Sequence, residues 1–449
     1  MEPTDVLVIG GSAAGVVAAT TAKATYPDKR VVLARRDELS LVPCGIPYVF
    51  GSLGSTAKNL MPNDSLAKAG VELRTTEIAS IDQETKKCRT ADGEELEFDK
   101  LVIATGSEPL VPSWLPGADL NGVFTIPKNK LYIDYVLESL DRCRKLITIG
   151  GGFIGVEMSD ELTKRGMNVT LVEILPHILG LAFDEEIAVR AQDLLQSRGV
   201  TVRTGVGVKA ILGEDQVRGV SLDNGDELAT DAVILSIGYK PATNLAADAG
   251  IELNERGSIK VDEYMRTRNP DIFAVGDCAE KRDFTTRKIS GVMLASTATS
   301  EARVAGMNLY KLSAVKTFSG TIAIWSTGLG EDGFGCAGLT ERAARTEGFD
   351  VITGVFEGID KHPGALPGAH KQLVKLVAAR DSGVILGGQV AGGPSAGELT
   401  NLIGLAIQNR MVANSLVTAQ IGTHPLLTAA PTAYPVIKAA EQVLWKMSA

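Results

Sequence analysis

The amino-acid sequence predicts an α/β protein, and three observations lead to that fold class. An apolar strand, a glycine-rich turn, a helix and a second strand follow one another between residues 5 and 34. The same succession recurs from Leu146 to Glu173, where Gly150 stands 140 residues after Gly10. Beyond about Trp325, strand-like stretches precede two helical ones. We therefore predict two Rossmann-like domains of duplicated fold and a separate C-terminal α/β domain.

The first unit begins almost at the start of the chain. Asp5–Ile9 is a short apolar strand, Gly10–Gly15 is the turn, and a helix runs to about Thr25. Arg30–Ala34 is the next parallel strand, and Phe98–Gly106 is a buried strand that ends in a glycine turn. This order is typical of βαβ units with a parallel sheet.

The second unit repeats the pattern. A strand from Leu146 reaches the glycines, a helix runs through Arg165, and Val169–Glu173 is the next strand. Ala232–Gly238 closes this unit, and Ile272–Asp277 is a further strand with a Gly-Asp exit. A duplication of this length is not a solenoid, because solenoid repeats recur every ~20–50 residues.

The C-terminal region has a different character. Its strand-like stretches are Val351–Phe356, Leu373–Ala378 and Val384–Gly388. Its helical stretches are Glu398–Gln408 and Val436–Lys446. These elements predict an independent α/β domain.

Two turn-rich stretches, Ser113–Asn121 and Tyr239–Asn244, are candidate crossings between domains. The second unit is therefore predicted to be inserted into the first. The predicted domains are residues 1–113 with 248–325, residues 114–247, and residues 326–449.

Composition limits the classes of partner. The chain has 449 residues, 45% of them hydrophobic, and a net charge of -9. An acidic chain repels phosphate backbones and anionic lipid, so we expect neither nucleic acid nor membrane as a partner. The start lacks a basic signal-peptide region, and no apolar run reaches about 18 residues. Five scattered cysteines predict neither a disulfide framework nor a zinc site and favour the cytoplasm.

The two glycine turns predict two dinucleotide sites, since backbone N–H groups there can approach a pyrophosphate. The second turn is complete, with Gly150, Gly152 and Gly155, and Glu173 follows 18 residues after the last glycine. An acidic residue at this place accepts from ribose hydroxyls and favours NADH over NADPH, which stays open as an alternative.

The first turn departs from the pattern. Ser12 replaces the middle glycine, and Ala34 stands where an acidic ribose ligand is usual, followed by Arg35 and Arg36. Support comes from Asp277, because a carboxylate at a strand exit can accept a hydrogen bond from a flavin ribityl hydroxyl. The alternative for Asp277 is a helix N-cap.

Together these parts resemble the two-dinucleotide flavoprotein disulfide reductases. The resemblance rests on both glycine turns, Ala104–Gly106, Ile237–Pro241 and Asn269–Asp277, in matching order over about residues 5–325. It implies FAD on the first domain, NAD(P)H on the second, and a C-terminal domain that forms a homodimer.

The resemblance also implies two sets of cofactor residues. The set for FAD is Gly10, Gly11, Ser12, Ala13, Ala14, Gly15, Arg35, Ser40, Ile78, Thr105, Gly106, Asp277, Ala295 and Ala298. The set for the nicotinamide cofactor is Gly150, Gly152, Phe153, Ile154, Gly155, Glu157, Glu173 and Gly238.

Cys44 narrows the family. Most of these reductases carry CxxxxC, whereas here Val49 stands at the fifth position and the next cysteine is Cys88. The segment Ser40–Tyr48 resembles the single-cysteine branch of coenzyme A-disulfide reductases, NADH oxidases and peroxidases, and NAD(P)H persulfide or polysulfide reductases. Cys44 is therefore the predicted catalytic residue, and its thiolate is the attacking form, with a pKa expected to be lowered.

Three features bear on the substrate. Oxidases of this branch usually carry a histidine in the first glycine loop, and this loop has none. Coenzyme A-disulfide reductases carry an arginine pair late in the first helix, where this chain offers only Lys23, and a tyrosine where it has Leu366. A persulfide or polysulfide substrate is affected least by these differences. A coenzyme A-type disulfide, an NADH oxidase or peroxidase cycling through sulfenic acid, and a low-turnover redox carrier or sensor remain open.

The C-terminal end supplies two further catalytic candidates. His424-Pro425 is similar to the His-Pro that dithiol reductases bring across the dimer, although Thr428 stands near the usual glutamate. His424 or Tyr434 could protonate a thiolate leaving the partner subunit's site. The alternative for both is interface packing. The other histidines lack the spacing of metal ligands, so no metal site is predicted.

Overall fold

Three large sheets with smaller ones between them organise the chain, and the computed structural model describes residues 4–448. Residues 1–3 and 449, which the predicted domain ranges include, lie outside the described residues. The strands are β1 (Thr4–Ile9), β2 (Val31–Arg35), β3 (Glu72–Thr75), β4 (Ile78–Asp82), β5 (Lys87–Thr90), β6 (Glu95–Ile103), β7 (Ser107–Pro109), β8 (Val123–Phe124), β9 (Lys145–Ile149), β10 (Asn168–Glu173), β11 (Thr201–Thr204), β12 (Val208–Gly213), β13 (Val217–Leu222), β14 (Glu227–Ala229), β15 (Ala232–Leu235), β16 (Tyr239–Pro241), β17 (Ile272–Ala274), β18 (Lys281–Arg282), β19 (Ile289–Ser290), β20 (Trp325–Leu329), β21 (Asp332–Gly338), β22 (Val351–Ile359), β23 (Lys371–Ala379) and β24 (Ile385–Ala391).

Helices cover these sheets and connect their strands. They are α1 (Ala13–Thr25), α2 (Ile46–Val49), α3 (Asp64–Lys68), α4 (Lys130–Leu140), α5 (Phe153–Lys164), α6 (Glu185–Ser197), α7 (Asn244–Asp248), α8 (Ala295–Asn308), α9 (Glu341–Thr346), α10 (Ala396–Gln408), α11 (Ala413–Val417) and α12 (Pro435–Met447). Short 3-10 turns include Pro43–Gly45 and Gly276–Cys278. None of the helices within residues 4–448 is long and apolar enough to cross a membrane.

The first large sheet has the strand order expected of a Rossmann-type unit. Strands β3, β2, β1, β6 and β17 run parallel, and the first half of β6 continues antiparallel into β5 and β4. Because β17 comes from Ile272–Ala274, the chain returns to this sheet after the second unit. Helices α1 and α8 pack together against it through small residues, as a Cβ on Gly306 would lie 3.0 Å from Ala18 O.

The second large sheet contains β11, β10, β9, β15 and β8, all parallel. The predicted duplication is therefore confirmed as a fold. Strands β7 and β16 form an antiparallel pair that links the two units, with Tyr239 opposite Pro109. One crossing coincides with the predicted Tyr239–Asn244, whereas the other begins before the predicted Ser113–Asn121. The exact domain boundaries stay predictions.

The C-terminal part forms an antiparallel sheet in the order β20-β21-β24-β23-β22, which α10 and α12 cover. Its β-strands and helices match the predicted stretches. The antiparallel β20–β21 pair was not predicted, because four glycines interrupt its hydrophobic pattern.

One buried lysine ties the second unit to this C-terminal sheet. Lys375 of β23 is 4% exposed, and its Nζ lies 3.0 Å from Asp184, 2.6 Å from Glu186 and 2.9 Å from Glu341. Asp184 also accepts hydrogen bonds from backbone N–H groups at the start of α9. Removing the lysine would leave the buried Asp184 carboxylate without a cation, so this cluster fixes how the two parts pack.

Candidate active site

The first glycine turn joins β1 to α1 and leaves the start of the helix free to hold a ligand. Gly10 has a φ of +116°, and a Cβ there would lie 2.1 Å from Ala104 O. A Cβ on Gly15 would lie 1.8 Å from Gly10 O, so the helix starts directly against the turn. Ser12 caps α1 without a side-chain hydrogen bond, and the first helical residues are Ala13 and Ala14. The N–H groups of this helix end are suited to a phosphate.

The second glycine turn repeats this arrangement between β9 and α5. Gly150 has a φ of +103°, and a Cβ on Gly155 would lie 1.9 Å from Gly150 O. Gly152 is the N-cap and has no neighbour within 4 Å of its Cβ position among the described residues, so its outer side is open. Phe153 and Ile154 begin α5. Both turns therefore fit the pyrophosphate of a dinucleotide.

Glu173 lies at the end of β10 beside the second turn. Its Oε2 accepts from the Gly151 N–H at 2.5 Å, and its Oε1 accepts from the Leu175 N–H at 2.8 Å. These two bonds orient the carboxylate next to the glycines. Lone pairs that remain on it can accept from ribose hydroxyls, as the sequence predicted.

At the first turn the Gly10 N–H donates to Ala34 O, as the Gly150 N–H donates to Val172 O at the second. The prediction that Ala34 holds the place of the ribose ligand is therefore wrong, and the residue that matches Glu173 is Arg35 at the end of β2. Its guanidinium donates to Glu38 O and, at 2.9 Å, to Asn63 Oδ1. Ser40 follows in the loop, where its carbonyl accepts from the Met61 N–H at 2.8 Å. The structure thus places Arg35 against Gly11 of the first turn, whereas the contact of Ser40 is with Met61, and its role at FAD stays a prediction.

The exits of β6 and β17 lie side by side, because these strands pair in parallel from Leu101 with Ile272 to Ile103 with Ala274. This pairing brings Thr105 and Gly106 next to Asp277. The Thr105 hydroxyl donates to Ala242 O at 2.6 Å, which ties this exit to the crossing.

Asp277 holds a cation that the sequence analysis missed. Its Oδ2 accepts from Ser107 Oγ at 2.7 Å and pairs with Lys128 Nζ at 2.8 Å. Lys128 and the nearby groups lower the pKa of this carboxyl, whereas its burial acts in the opposite direction and is the largest single influence. Lys128 belongs to no recognisable motif, so no sequence pattern indicates its role.

The remaining cofactor candidates lie on α8, on β4 and just before β16. Ala295 begins α8, and the buried Ala298 lies on the same helix against Gly276, whose Cβ position is 3.6 Å from the Ala298 Cβ. Ile78 is buried on β4, and Gly238, with a φ of +116°, precedes β16. Only Ala298 is thus placed beside the strand exit that carries Asp277, and the cofactor roles of all four residues stay predictions.

Cys44 lies on the 3-10 turn Pro43–Gly45 that leads into α2. Ile46, Val49 and Phe50 anchor this segment in the core of the second unit, and the Ser52 N–H donates to Glu161 of α5 at 2.5 Å. The segment that carries the thiol is therefore held against the helix that begins at the second glycine turn.

The Cys44 residue is exposed, and every cysteine among the described residues is free. Although solvent reaches it, desolvation by the surrounding protein raises the pKa of the thiol, and Glu157 and Asp277 raise it further. Lys128 acts in the opposite direction. The expectation of a lowered pKa is therefore wrong for the polypeptide alone, because desolvation, together with Glu157 and Asp277, outweighs the effect of Lys128, which already pairs with Asp277.

Glu157 connects this thiol to the C-terminal sheet. Burial raises the pKa of Glu157 to about 7, against a hydrogen bond from Thr327 Oγ1 at 2.7 Å that favours the ionised form. Trp325, also on β20, packs edge-on against Phe153 with ring centroids 3.6 Å apart. Strand β20 thus borders the start of α5, a contribution that no sequence pattern indicated.

The two C-terminal candidates have different surroundings. His424 is exposed in a loop whose Thr428 hydroxyl accepts from the His424 N–H at 2.9 Å. Tyr434 is only 8% exposed, and burial in the C-terminal core raises the pKa of its hydroxyl. Accessibility thus supports His424 as a proton donor more than Tyr434.

Comparison with known proteins decides the family. Residues 4–302 match the family model described as pyridine nucleotide-disulphide oxidoreductase, and residues 332–434 match the dimerisation domain of that family. The chain belongs to the pyridine nucleotide-disulphide oxidoreductase family. As a member of this family it is an oxidoreductase, and the dimerisation domain supports a homodimer.

Relatives within the family carry different names. An NADH oxidase of Methanocaldococcus jannaschii is 31% identical over 98% of this chain and 99% of its own length. An NAD(P)H coenzyme A polysulfide/persulfide reductase of Pyrococcus horikoshii is 34% identical over 86% of this chain and 87% of its own length. The structure of an NAD-dependent persulfide reductase from A. fulgidus superimposes with a TM-score of 0.89 at 29% identity, covering 99% of this chain and 84% of that one.

Proposed function

We propose that this oxidoreductase uses NADH to reduce sulfur–sulfur bonds in persulfides, polysulfides or coenzyme A-type disulfides, with Cys44 as its redox-active residue. The observation that carries the proposal is the position of Cys44. It is an exposed thiol without a cysteine partner, close enough to Asp277 beside the first turn and Glu157 beside the second for both to raise its pKa.

The two glycine turns are the proposed sites of FAD and NADH. For FAD, the fit rests on the tightly packed first turn and on the Asp277 carboxylate at the neighbouring strand exit. For NADH, it rests on the second turn and on the oriented Glu173 carboxylate, which would meet a 2′-phosphate with like charge. Bound FAD would supply two-electron transfer between NADH and sulfur.

Cys44 performs the sulfur chemistry in this proposal. Its thiolate attacks the outer sulfur of a persulfide, the sulfur–sulfur bond breaks, and the thiol fragment leaves with the electron pair and takes a proton. Two electrons then break the sulfur–sulfur bond of the Cys44 persulfide, CysS–SH, and give the Cys44 thiolate and hydrosulfide. With a disulfide substrate, the same steps pass through a mixed disulfide and release two thiols.

Lys128 and the C-terminal histidine have proposed supporting roles. Lys128 lowers the pKa of Cys44, so it stabilises the attacking thiolate. His424, exposed in the dimerisation domain, is proposed to protonate the leaving thiolate at the partner subunit's site, with Tyr434 as the less accessible alternative. Cytoplasmic location is part of the proposal, since the cysteines are free.

A second candidate is an NADH oxidase or peroxidase in which Cys44 cycles through sulfenic acid. The M. jannaschii relative favours it, as does the solvent exposure of the thiol. The first glycine loop weighs against it, because this loop contains no histidine that could donate a proton to oxygen.

A panel of electron acceptors separates these functions. NADH consumption is measured anaerobically with a persulfide, polysulfide, coenzyme A disulfide or hydrogen peroxide, and aerobically with oxygen alone. The proposal predicts fastest turnover with a sulfur substrate. Cys44→Ser should keep its flavin absorbance and lose more than about 1,000-fold of that turnover, as expected when a nucleophile is removed.

Cys143→Ser is the matched control. Cys143 is half-buried and donates its S–H to Ser139 O within one helix end, at 3.6 Å. This variant should retain the wild-type rate. Sulfur turnover that survives in Cys44→Ser would refute the mechanism, and faster turnover with oxygen or peroxide than with every sulfur substrate would favour the oxidase.

A further inference from the structure

The side chain of Arg35 is buried at the edge of the first glycine turn and is incompletely paired. Arg35 is 5% exposed, and its Nε lacks a hydrogen-bond partner among residues 4–448. The other end of the guanidinium donates to Glu38 O and Asn63 Oδ1, which are neutral acceptors. Desolvation accordingly lowers the pKa of this side chain.

A buried donor without an acceptor is uncommon, since each one carries a desolvation cost. Here the donor also bears a positive charge, and the carboxylates of Asp37 and Glu38 act on it only through space. Such a group calls for an oxygen atom supplied by a ligand.

The duplicated fold indicates which part of a ligand Arg35 would meet. In the second turn, a Cβ on Gly151 would lie 3.0 Å from Glu173 Oε2, so the ribose-binding carboxylate packs directly on that glycine. In the first turn, a Cβ on Gly11 would lie 2.4 Å from Arg35 Cδ. Arg35 therefore occupies, beside the first turn, the place that Glu173 occupies beside the second.

We propose that Arg35 recognises the adenosine ribose of FAD as a hydrogen-bond donor, its Nε–H pointing to a ribose oxygen. This inference rests on the proposed function only in that FAD binds the first turn. The two sites of one chain would then bind the adenosine riboses of two different cofactors with opposite chemistry. Glu173 would accept a hydrogen bond from the ribose of NADH, and Arg35 would donate one to the ribose of FAD. The charge would also attract the neighbouring pyrophosphate.

The test measures FAD affinity. Holoenzyme of the wild type, Arg35→Met and Arg35→Lys is diluted, and released FAD is followed by its fluorescence. Loss of a charge-assisted hydrogen bond should raise the dissociation constant of FAD in Arg35→Met by about 10- to 100-fold. The dissociation constant of Arg35→Lys should lie between those of the wild type and Arg35→Met, because lysine keeps the charge without the Nε–H.

Arg36→Met is the matched control. Arg36 is exposed and lies 3.5 Å from Asp37 at the surface, so its FAD affinity should stay within about threefold of the wild type. In a second measurement, the flavin is removed from the full-length protein, and the binding of FMN, which lacks the adenosine, is measured. Arg35→Met should bind FMN as the wild type does.

Two results would overturn the inference. One is an FAD dissociation constant in Arg35→Met within threefold of the wild type. The other is an equal loss of FAD and FMN affinity, which would mark a structural role. Failure of the premise that FAD binds the first turn is distinguishable, because the wild-type chain itself would then bind no FAD, whereas the choice between a sulfur substrate and oxygen does not affect this test.

Discussion

Glu301 of α8 allows a quantitative prediction about stability and pH. It is fully buried, and its Oε2 accepts from the Gly276 N–H at 2.8 Å, whereas Oε1 has no hydrogen-bond partner within the described residues. Burial raises the pKa of Glu301 from 4.5 to about 7, and Asp277 adds to this, while Lys281 opposes it. The carboxyl behind the Asp277 turn is thus protonated below neutral pH.

The pH dependence of stability follows from the protonation of Glu301 in the folded and the unfolded chain. Below about pH 4.5 the group is neutral in both, so it imposes no penalty. Between pH 4.5 and about 7 the unfolded chain loses this proton while the folded chain keeps it, and stability falls as pH rises. Above about pH 7 both are ionised, and the penalty levels off at about 3 kcal/mol, since one pKa unit corresponds to about 1.4 kcal/mol.

Glu301→Gln removes this titration and keeps an oxygen for the Gly276 N–H. We expect the variant and the wild type to have similar stability at pH 5. At pH 8 the variant should be more stable, with a melting temperature higher by several degrees. Thermal unfolding in saturating FAD at pH 5, 6, 7 and 8 measures the difference, and Glu214→Gln, at an exposed position, is the control.

The result that would refute this reasoning is a pair of parallel curves. If the melting temperatures of Glu301→Gln and the wild type differ by a constant amount from pH 5 to pH 8, Glu301 does not change its protonation in the folded chain in that range. The same outcome for Glu214→Gln is the expected behaviour of a surface carboxylate.

Two further predictions concern packing. Gly155→Ala should lower the melting temperature and raise the KM for NADH by at least tenfold, because its Cβ would lie 1.9 Å from Gly150 O. Gly152→Ala has no such contact, so it should weaken NADH binding without lowering the melting temperature. Lys375→Met should destabilise the protein by about 3–5 kcal/mol in urea unfolding, since the buried Asp184 carboxylate loses its cation, whereas Lys371→Met at the exposed start of the same strand should change little. Equal unfolding midpoints for the two lysine variants, or equal melting temperatures for the two glycine variants, would contradict these arguments.

Local sequence patterns predicted the fold because they record local constraints. Gly10 and Gly150 both have positive φ, and Gly15 and Gly155 both admit a backbone oxygen where a side chain would stand. Few other residues tolerate those requirements, so the spacing of the glycines indicated both turns before any coordinates. Apolar runs likewise predicted β1, β2, β15 and β17, which are buried on both faces, whereas the partly exposed parallel strands β3 and β11 were not predicted.

Other features depend on contacts between distant residues. Lys128 meets Asp277 from 149 residues away, and Thr327 reaches Glu157 from 170 residues away. A lysine or threonine in a loop carries no sequence signal for such a partner. The prediction of a lowered pKa for Cys44 was wrong for the same reason, since this pKa depends first on desolvation and then on carboxylates that only folding brings near.

The sequence by itself determined the two dinucleotide-binding units, the single thiol Cys44 and the acidic residue Glu173, because glycine geometry, hydrophobic periodicity and residue chemistry are properties of short segments. Only the tertiary structure decided that Arg35 lies buried on Gly11 with an unpaired Nε, that Glu301 is fully enclosed, and that Tyr434 belongs to the core. Burial and electrostatic environment are sums over residues far apart in the chain, and no local pattern contains them.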